Sequence, residues 1–264
     1  MPAAAKLQSD LSPGPLPGAA EPAAGGAETG PQRAPDELEA FSYAASHELR
    51  APLQIIRGFA EAIVSDEASV LSEESRGYLE RIRRSAARID ATVSGLLSYA
   101  RLAREKIVLQ DVRLDGLLAD ILQQYDPLIT ESGAEVRVES DLPVVYGEAE
   151  ALFQAVSNLL SNALKFTASG DSPRIRIWAE ADGPKVRIWV EDHGIGIEAH
   201  NQARIFNLFE RLNSPHAYPG TGVGLSLVRR AVEKIGGQVG VKSTLGGGSR
   251  FWIELPRGRA EYPG

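Results

Sequence analysis

His47 and Glu48 lie in the stretch FSYAASHELRAPLQII, and about a hundred residues later come NLLSNALKFT, EDHGIGI and GTGVGLSLV. A neutral imidazole nitrogen can attack a phosphoryl group, and a neighbouring carboxylate can orient the ring and take its proton. Asn158, Asn162 and Lys165 fall at i, i+4 and i+7, so they share one helix face, with Gln154 beside them. An amide oxygen there can ligate Mg²⁺ and a lysine can neutralise phosphate. Leu152, Val156, Leu159, Leu160 and Ala163 take the opposite, apolar face. Asp192 ends a strand-like run, and its carboxylate can accept a hydrogen bond from an adenine amino group. Gly194 and Gly196 after it let the backbone pass close to a flat base. Gly220-Thr221-Gly222-Val223-Gly224-Leu225 opens a helix, where free amides and the positive dipole end face phosphates. That GxGxG follows a loop and lacks the dinucleotide spacing, which sets a Rossmann reading aside. Each signal alone has an ordinary explanation: a surface histidine, a polar helix face, a strand turn, a loop. Their order in one chain gives them weight.

The elements that must position these groups follow from periodicity. Residues from about 36 to 65 read as one helix, with Phe41, Ala45, Leu49, Pro52, Ile56, Phe59 and Ile63 in a stripe and His47 pointing away from it. Pro52 should kink or loosen that helix. Ser72 is a candidate N-cap, with Glu73 and Glu74 in the first turn of a second helix reaching about residue 104. Its stripe is Tyr78, Ile82, Ala86, Ile89, Val93, Leu96 and Ala100. A two-helix hairpin cannot hide its own seam, so pairing with a second copy into a four-helix bundle is expected. Beyond Lys106, VLQDV, AEVRVES, RIRIWAE and KVRIWVED read as strands, as do about 238–243 and 249–255 around TLGGGS. Helices are expected at about 113–131, 148–166 and 222–236, giving an α+β domain with a mixed or antiparallel sheet. IFNLFERLNSPHAYPG suits a mobile lid, with Phe206 and Phe209 as packing anchors.

Composition narrows the classes. The chain has 264 residues, 43% hydrophobic, so a core is affordable for one large or two modest domains. The net charge of −7 argues against a nucleic-acid partner. The arginines at 81, 83, 84 and 88 are interleaved with acidic and apolar residues and read as a solvated helix face. There is no cysteine, which excludes disulfides and thiolate chemistry. No leader peptide or transmembrane run is visible, and the four histidines lack metal-ligand spacing. Residues 1–35, rich in Ala, Pro and Gly, read as a disordered tail.

Together these residues resemble the sensor histidine kinases of two-component signalling, closest in look to cytoplasmic phytochrome-like members. SHELRAP is similar to the phospho-acceptor H box, which makes His47 the autophosphorylation site and Glu48 the adjacent acid. NLLSNALKFT resembles the N box, in which Asn162 would ligate Mg²⁺, Asn158 would support metal and phosphates, and Lys165 and Phe166 would line the ATP site. EDHGIGI resembles the G1 box, with Asp192 on adenine; FNLFERL the F box; GTGVGLSL the G2 box; GGGSRF the last glycine box. The resemblance implies a dimerisation and phosphotransfer hairpin (36–106) and a Bergerat-type α/β sandwich that binds ATP (107–258), between short tails (1–35 and 259–264). It implies a cytoplasmic homodimer that passes the phosphoryl group to the receiver domain of a response regulator. A sensor domain normally precedes the hairpin, so either a separate sensor protein serves this chain or the chain is a fragment. Members with phosphatase activity carry Thr or Asn four residues after the histidine, and Ala51 stands there, so weak phosphatase activity is expected. A conformational ATPase of the same sandwich class and a non-catalytic dimeric scaffold remain as alternatives.

Overall fold

The computed structural model describes residues 49, 53–64, 71–104, 106–168, 170–212, 218 and 220–259. His47, Glu48, Ala51 and Pro52 lie outside these residues.

Two helices come first: α1, helical over 53–64, and α2, Glu73–Arg104. Ser72 caps α2 as expected, its Oγ accepting from the Ser75 amide at 3.1 Å, and Glu73 and Glu74 sit in the first turn. The apolar stripe of each helix divides into a covered and an uncovered part. Leu53 and Ala60 of α1 and Ala86, Val93, Leu97 and Ala100 of α2 are buried, whereas Ile56, Phe59, Ile63, Tyr78, Ile82 and Ile89 are exposed. The C-terminal half of α2 packs on the helix Gly224–Lys234 of the following domain, a face the heptad pattern did not announce.

That domain runs β1 (Gln110–Arg113), α3 (Leu114–Ser132), β2 (Glu135–Val138), β3 (Val144–Gly147), α4 (Ala149–Lys165), β4 (Arg174–Asp182), β5 (Lys185–Asp192), α5 (Gly224–Lys234), β6 (Gln238–Ser243) and β7 (Ser249–Pro256). The five-stranded sheet has order β2-β4-β5-β7-β6, with β2 parallel to β4 and the rest antiparallel. The expected helices and strands are present within a few residues. The addition is β3, which pairs with β1 as a separate antiparallel ribbon.

Alternation along β4, β5 and β7 turns Ile175, Ile177, Val186, Ile188, Val190, Phe251, Ile253 and Leu255 toward the helices. There they meet Leu152, Val156, Leu159 and Leu160 of α4, Val228 and Val232 of α5, and Leu118 and Ile121 of α3. The two-layer α/β sandwich is thereby closed on one side. On the opposite face Trp178, Trp189 and Trp252 stand in register across β4, β5 and β7. Trp178 and Trp189 stack with ring centroids 5.7 Å apart. Guanidinium groups lie over this row, Arg176 at 4.8 Å from Trp178 and Arg187 at 4.7 Å from Trp252. No described helix is long and apolar enough to cross a membrane.

Candidate functional site

The last turns of α4, the end of β5, the loop entering α5 and the turn into β7 enclose a cleft of about 330 Å³. That size suits a nucleotide-scale ligand. α4 is set at its start by Glu148, whose carboxylate accepts from the amides of Glu150 and Ala151 at 3.1 and 2.6 Å. Its apolar face is then locked, Leu152 and Leu160 being fully buried. Asn158, Ser161, Asn162 and Lys165 are thereby turned into the cleft. Asn158 donates through Nδ2 to the Gln154 carbonyl at 2.8 Å, leaving Oδ1 toward Gly224, where a Cβ would stand 3.2 Å from it.

Lys165 holds its ammonium 4.0 Å from the Phe166 ring centroid, and a side chain on Gly220 would come within 2.5 Å of that nitrogen. Phe166 in turn packs on Tyr218, ring centroids 5.4 Å apart. Burial, and then the charge of Arg211, pull the Lys165 ammonium down to about 8. A desolvated cation near a second cation is a site prepared for an anion.

Asp192 sits at the end of β5, 7% exposed, with one oxygen accepting from the Gly194 amide at 2.9 Å. Burial pushes its carboxyl up to about 6, opposed by backbone hydrogen bonds from Gly194 and Ser249. A buried carboxylate on the cleft wall, fixed by backbone amides, can accept from a ligand donor.

Two glycine turns bring backbone against this space. Gly196 has φ 70° and a Cβ there would lie 1.9 Å from the Thr244 carbonyl oxygen. Gly222 has φ 76°, with the Phe209 carbonyl carbon 2.9 Å from where its Cβ would be. Only glycine fits either position.

Of the residues singled out in the sequence, Asn158, Asn162, Lys165, Phe166, Asp192, Gly196, Gly220, Thr221, Gly222, Gly224 and Leu225 line one cleft. Gly194 and Val223 stand outside its wall. Gly194 packs on the Phe166 carbonyl, where a Cβ would be 2.2 Å from the oxygen, so it shapes the turn that holds Asp192. Val223 is 1% exposed and faces Gly95 of α2. Phe209 is not a packing anchor. Its φ of 64° and the hydrogen bond from its amide to the Gly222 carbonyl at 2.9 Å fix the chain direction and leave the ring half exposed. Phe206 alone does the packing, edge-on to Phe251 with centroids 6.4 Å apart.

Sequence reasoning passed over Ser161, Ile195, Ile197, Ile205, Arg211, Tyr218, Ser249 and Phe251, which also line the cleft. Ile195 and Ile197 were legible as the apolar steps of GIGI. Arg211, directly after the Phe-x-x-Phe-Glu run, carried no signal of its own. Its Nη2 donates to the Tyr218 carbonyl at 3.2 Å, while its Nη1 is buried with no hydrogen-bond partner. Among the described residues no cluster of three or more His, Cys, Asp or Glu could hold a metal, so a cation here would rest on amide oxygens and its ligand.

An acceptor stem followed by this ATPase fold is the plan of a histidine kinase, and comparison with known families agrees. The His Kinase A (phospho-acceptor) domain family matches residues 37–105, and the histidine kinase-, DNA gyrase B- and HSP90-like ATPase family matches residues 147–259. The chain belongs to the sensor histidine kinases. It is 33% identical to cyanobacterial phytochrome B of Nostoc sp. over 225 residues, which is 85% of this chain and 30% of that protein. It is 35% identical to the sensor histidine kinase AruS of Pseudomonas aeruginosa, covering 88% of this chain and 25% of the relative. Among solved structures, full-length ShkA in complex with AMPPNP matches with a TM-score of 0.63 and 33% identity, over 86% of this chain and 47% of that one. The chain thus spans less than a third of the length of these curated relatives.

Proposed function

We propose that the chain is an ATP-dependent protein histidine kinase core, with a dimeric acceptor stem (36–106) and a nucleotide domain (107–258). The observation that carries this is the convergence of Asn158, Asn162, Lys165, Asp192 and the 220–225 loop on one cleft, in a chain whose phospho-acceptor family match includes His47. In this reading Asp192 accepts from the adenine amino group, and the backbone at Gly194 and Gly196 shapes the base slot. Lys165 and the amides of Gly220 to Gly224 neutralise and orient the phosphates. Magnesium, when bound, would offset phosphate charge, held by Asn162 and more weakly by Asn158. The imidazole of His47 forms a bond to the γ-phosphorus as the bond to the bridging oxygen breaks. ADP leaves, and the ring proton passes to Glu48. The phosphoryl group then moves to an aspartate of a response-regulator receiver domain. Uncovered Ile56, Phe59, Ile63, Tyr78, Ile82 and Ile89 support pairing of the stem with a second copy.

A conformational ATPase would need a general base on the nucleotide domain. The cleft face of α4, with Asn158, Ser161, Asn162 and Lys165, carries no carboxylate, and of the two carboxylates that line the cleft Asp192 is assigned to the adenine base and Glu210 is paired with Arg204 at 3.0 Å. Incubation with γ-labelled ATP tests the kinase reading. The wild type should gain acid-labile, base-stable label, and His47→Gln should lose it while still binding nucleotide. Label retained in His47→Gln refutes the acceptor, and hydrolysis without any phosphoprotein favours the ATPase.

A further inference from the structure

Gly95, Tyr99 and Leu102 of α2 fall in one stripe ~60° wide at ~100° per residue. All three meet the nucleotide domain. Leu102 is part of its core, and the Tyr99 ring lies 4.7 Å from the Arg230 guanidinium carbon of α5. Gly95 comes against Val223. A Cβ on Gly95 would stand 2.9 Å from Val223 Cγ1, 3.1 Å from its Cβ and 3.4 Å from its Cγ2, so one valine side chain fills the notch that the missing side chain leaves. Glycine is costly inside a helix, and the seat for Val223 is what it supplies in α2.

Val223 is bonded on both sides. Its amide donates to Thr221 Oγ1 at 3.3 Å, and its carbonyl accepts from the Leu227 amide at 3.0 Å and the Ser226 hydroxyl at 2.7 Å. It is thereby joined to the glycine loop before it and to the first turn of α5 after it. Thr221, Gly222, Gly224 and Leu225 line the cleft, while Val223, 1% exposed, turns the other way onto the stem. Gly222 packs on the Phe209 backbone and Gly224 on Asn158 Oδ1, which leaves the loop little slack. A displacement of Val223 must move backbone that faces the cleft.

We propose that Gly95 is a positioning residue of the acceptor stem: by seating Val223 it holds the 220–224 loop in the shape that grips the nucleotide phosphates, so that stem and phosphate loop move as one body. The inference rests on the nucleotide reading of the cleft.

The test is calorimetric titration of the full chain with a Mg-bound, non-hydrolysable ATP analogue and with adenosine, which has no phosphate for the loop to hold. Gly95→Ala should weaken the analogue about tenfold, within the range that one overpacked methyl imposes, and leave adenosine unchanged. Val223→Ala removes the two Cγ contacts. Combined with Gly95→Ala it should lose less than the product of the two single losses, because the crowding is relieved. Multiplicative losses, an unchanged or raised analogue affinity, or equal weakening of analogue and adenosine overturns the proposal. Alanine favours the helix, so Gly95→Ala should fold. If it does not, Tyr99→Leu, which removes the ring beside Arg230, decides by the same ratio, with an expected loss of about threefold. Wild type that binds neither ligand would instead overturn the reading of the cleft itself.

Discussion

Two amphipathic helices of this protein meet opposite fates. The apolar stripe of α4 is enclosed by its own sheet, with Leu152 and Leu160 fully buried. Along α2 the stripe is left open at Tyr78, Ile82 and Ile89, exposed by 54, 44 and 45%. The sequence patterns are alike, 3.6-residue repeats of aliphatic side chains. What differs is the partner. α4 has β4 and β5 beneath it in the same chain, while α2 has α5 against its C-terminal half and open solvent over Tyr78, Ile82 and Ile89. A covered stripe means that the nucleotide domain carries its own stability. An open one is the surface that the proposed pairing of the stem with a second copy would cover.

Single substitutions put this contrast to the test. The largest effect is expected at Gly196, where a Cβ would collide with the Thr244 carbonyl and φ is positive. Gly196→Ala should cost about 3 kcal/mol or more in urea unfolding followed by circular dichroism. An unchanged midpoint would show that the turn accommodates a side chain and that the domain is less tightly determined than its packing implies.

Asp192 should show an intermediate effect of opposite sign. Its carboxyl is raised from 3.8 to about 6 by burial, so the stability tied to its proton is complete below 3.8 and lost as pH rises through about 6. At pH 7.5, without nucleotide, Asp192→Asn should therefore be more stable than wild type by up to about 3 kcal/mol. Below pH 4 the advantage should vanish, and adenine nucleotide affinity should fall at every pH. Equal stability of the two proteins at pH 7.5 would mean that the carboxylate is solvated.

The smallest effect on stability belongs to the stem. Ile82→Ser should change unfolding of the nucleotide domain by less than about 0.5 kcal/mol. In sedimentation velocity it should still shift the population toward monomer relative to wild type. A monomeric wild type at micromolar concentration would remove the basis for the second copy.

The same contrast explains what was legible. α4 could be read in full because its two faces differ in kind, amides and an ammonium against leucines. The cap at Ser72 and the glycine turns were legible because they are local, each decided by residues a few positions apart. β3 was missed because Val144 to Gly147 is only four residues long, follows Pro143, and owes its state to β1, more than thirty positions earlier. The second face of α2 was hidden for a related reason. Gly95 within a helix reads as a weak spot, and only the close approach of Val223 gives it a purpose. Val223 illustrates the limit of motif reading: its place in the loop is fixed by sequence, but the direction of its side chain is fixed by α2.

The three indoles of the chain all stand in one row of one sheet. Near-ultraviolet emission excited at the indole band therefore originates wholly in the nucleotide half, and the stem is optically dark in that channel. The nearly parallel Trp178 and Trp189 rings, 13° apart in plane, are close enough for exciton coupling. One label-free spectrum thus follows the sheet alone, and separation of the stem helices leaves it unmoved.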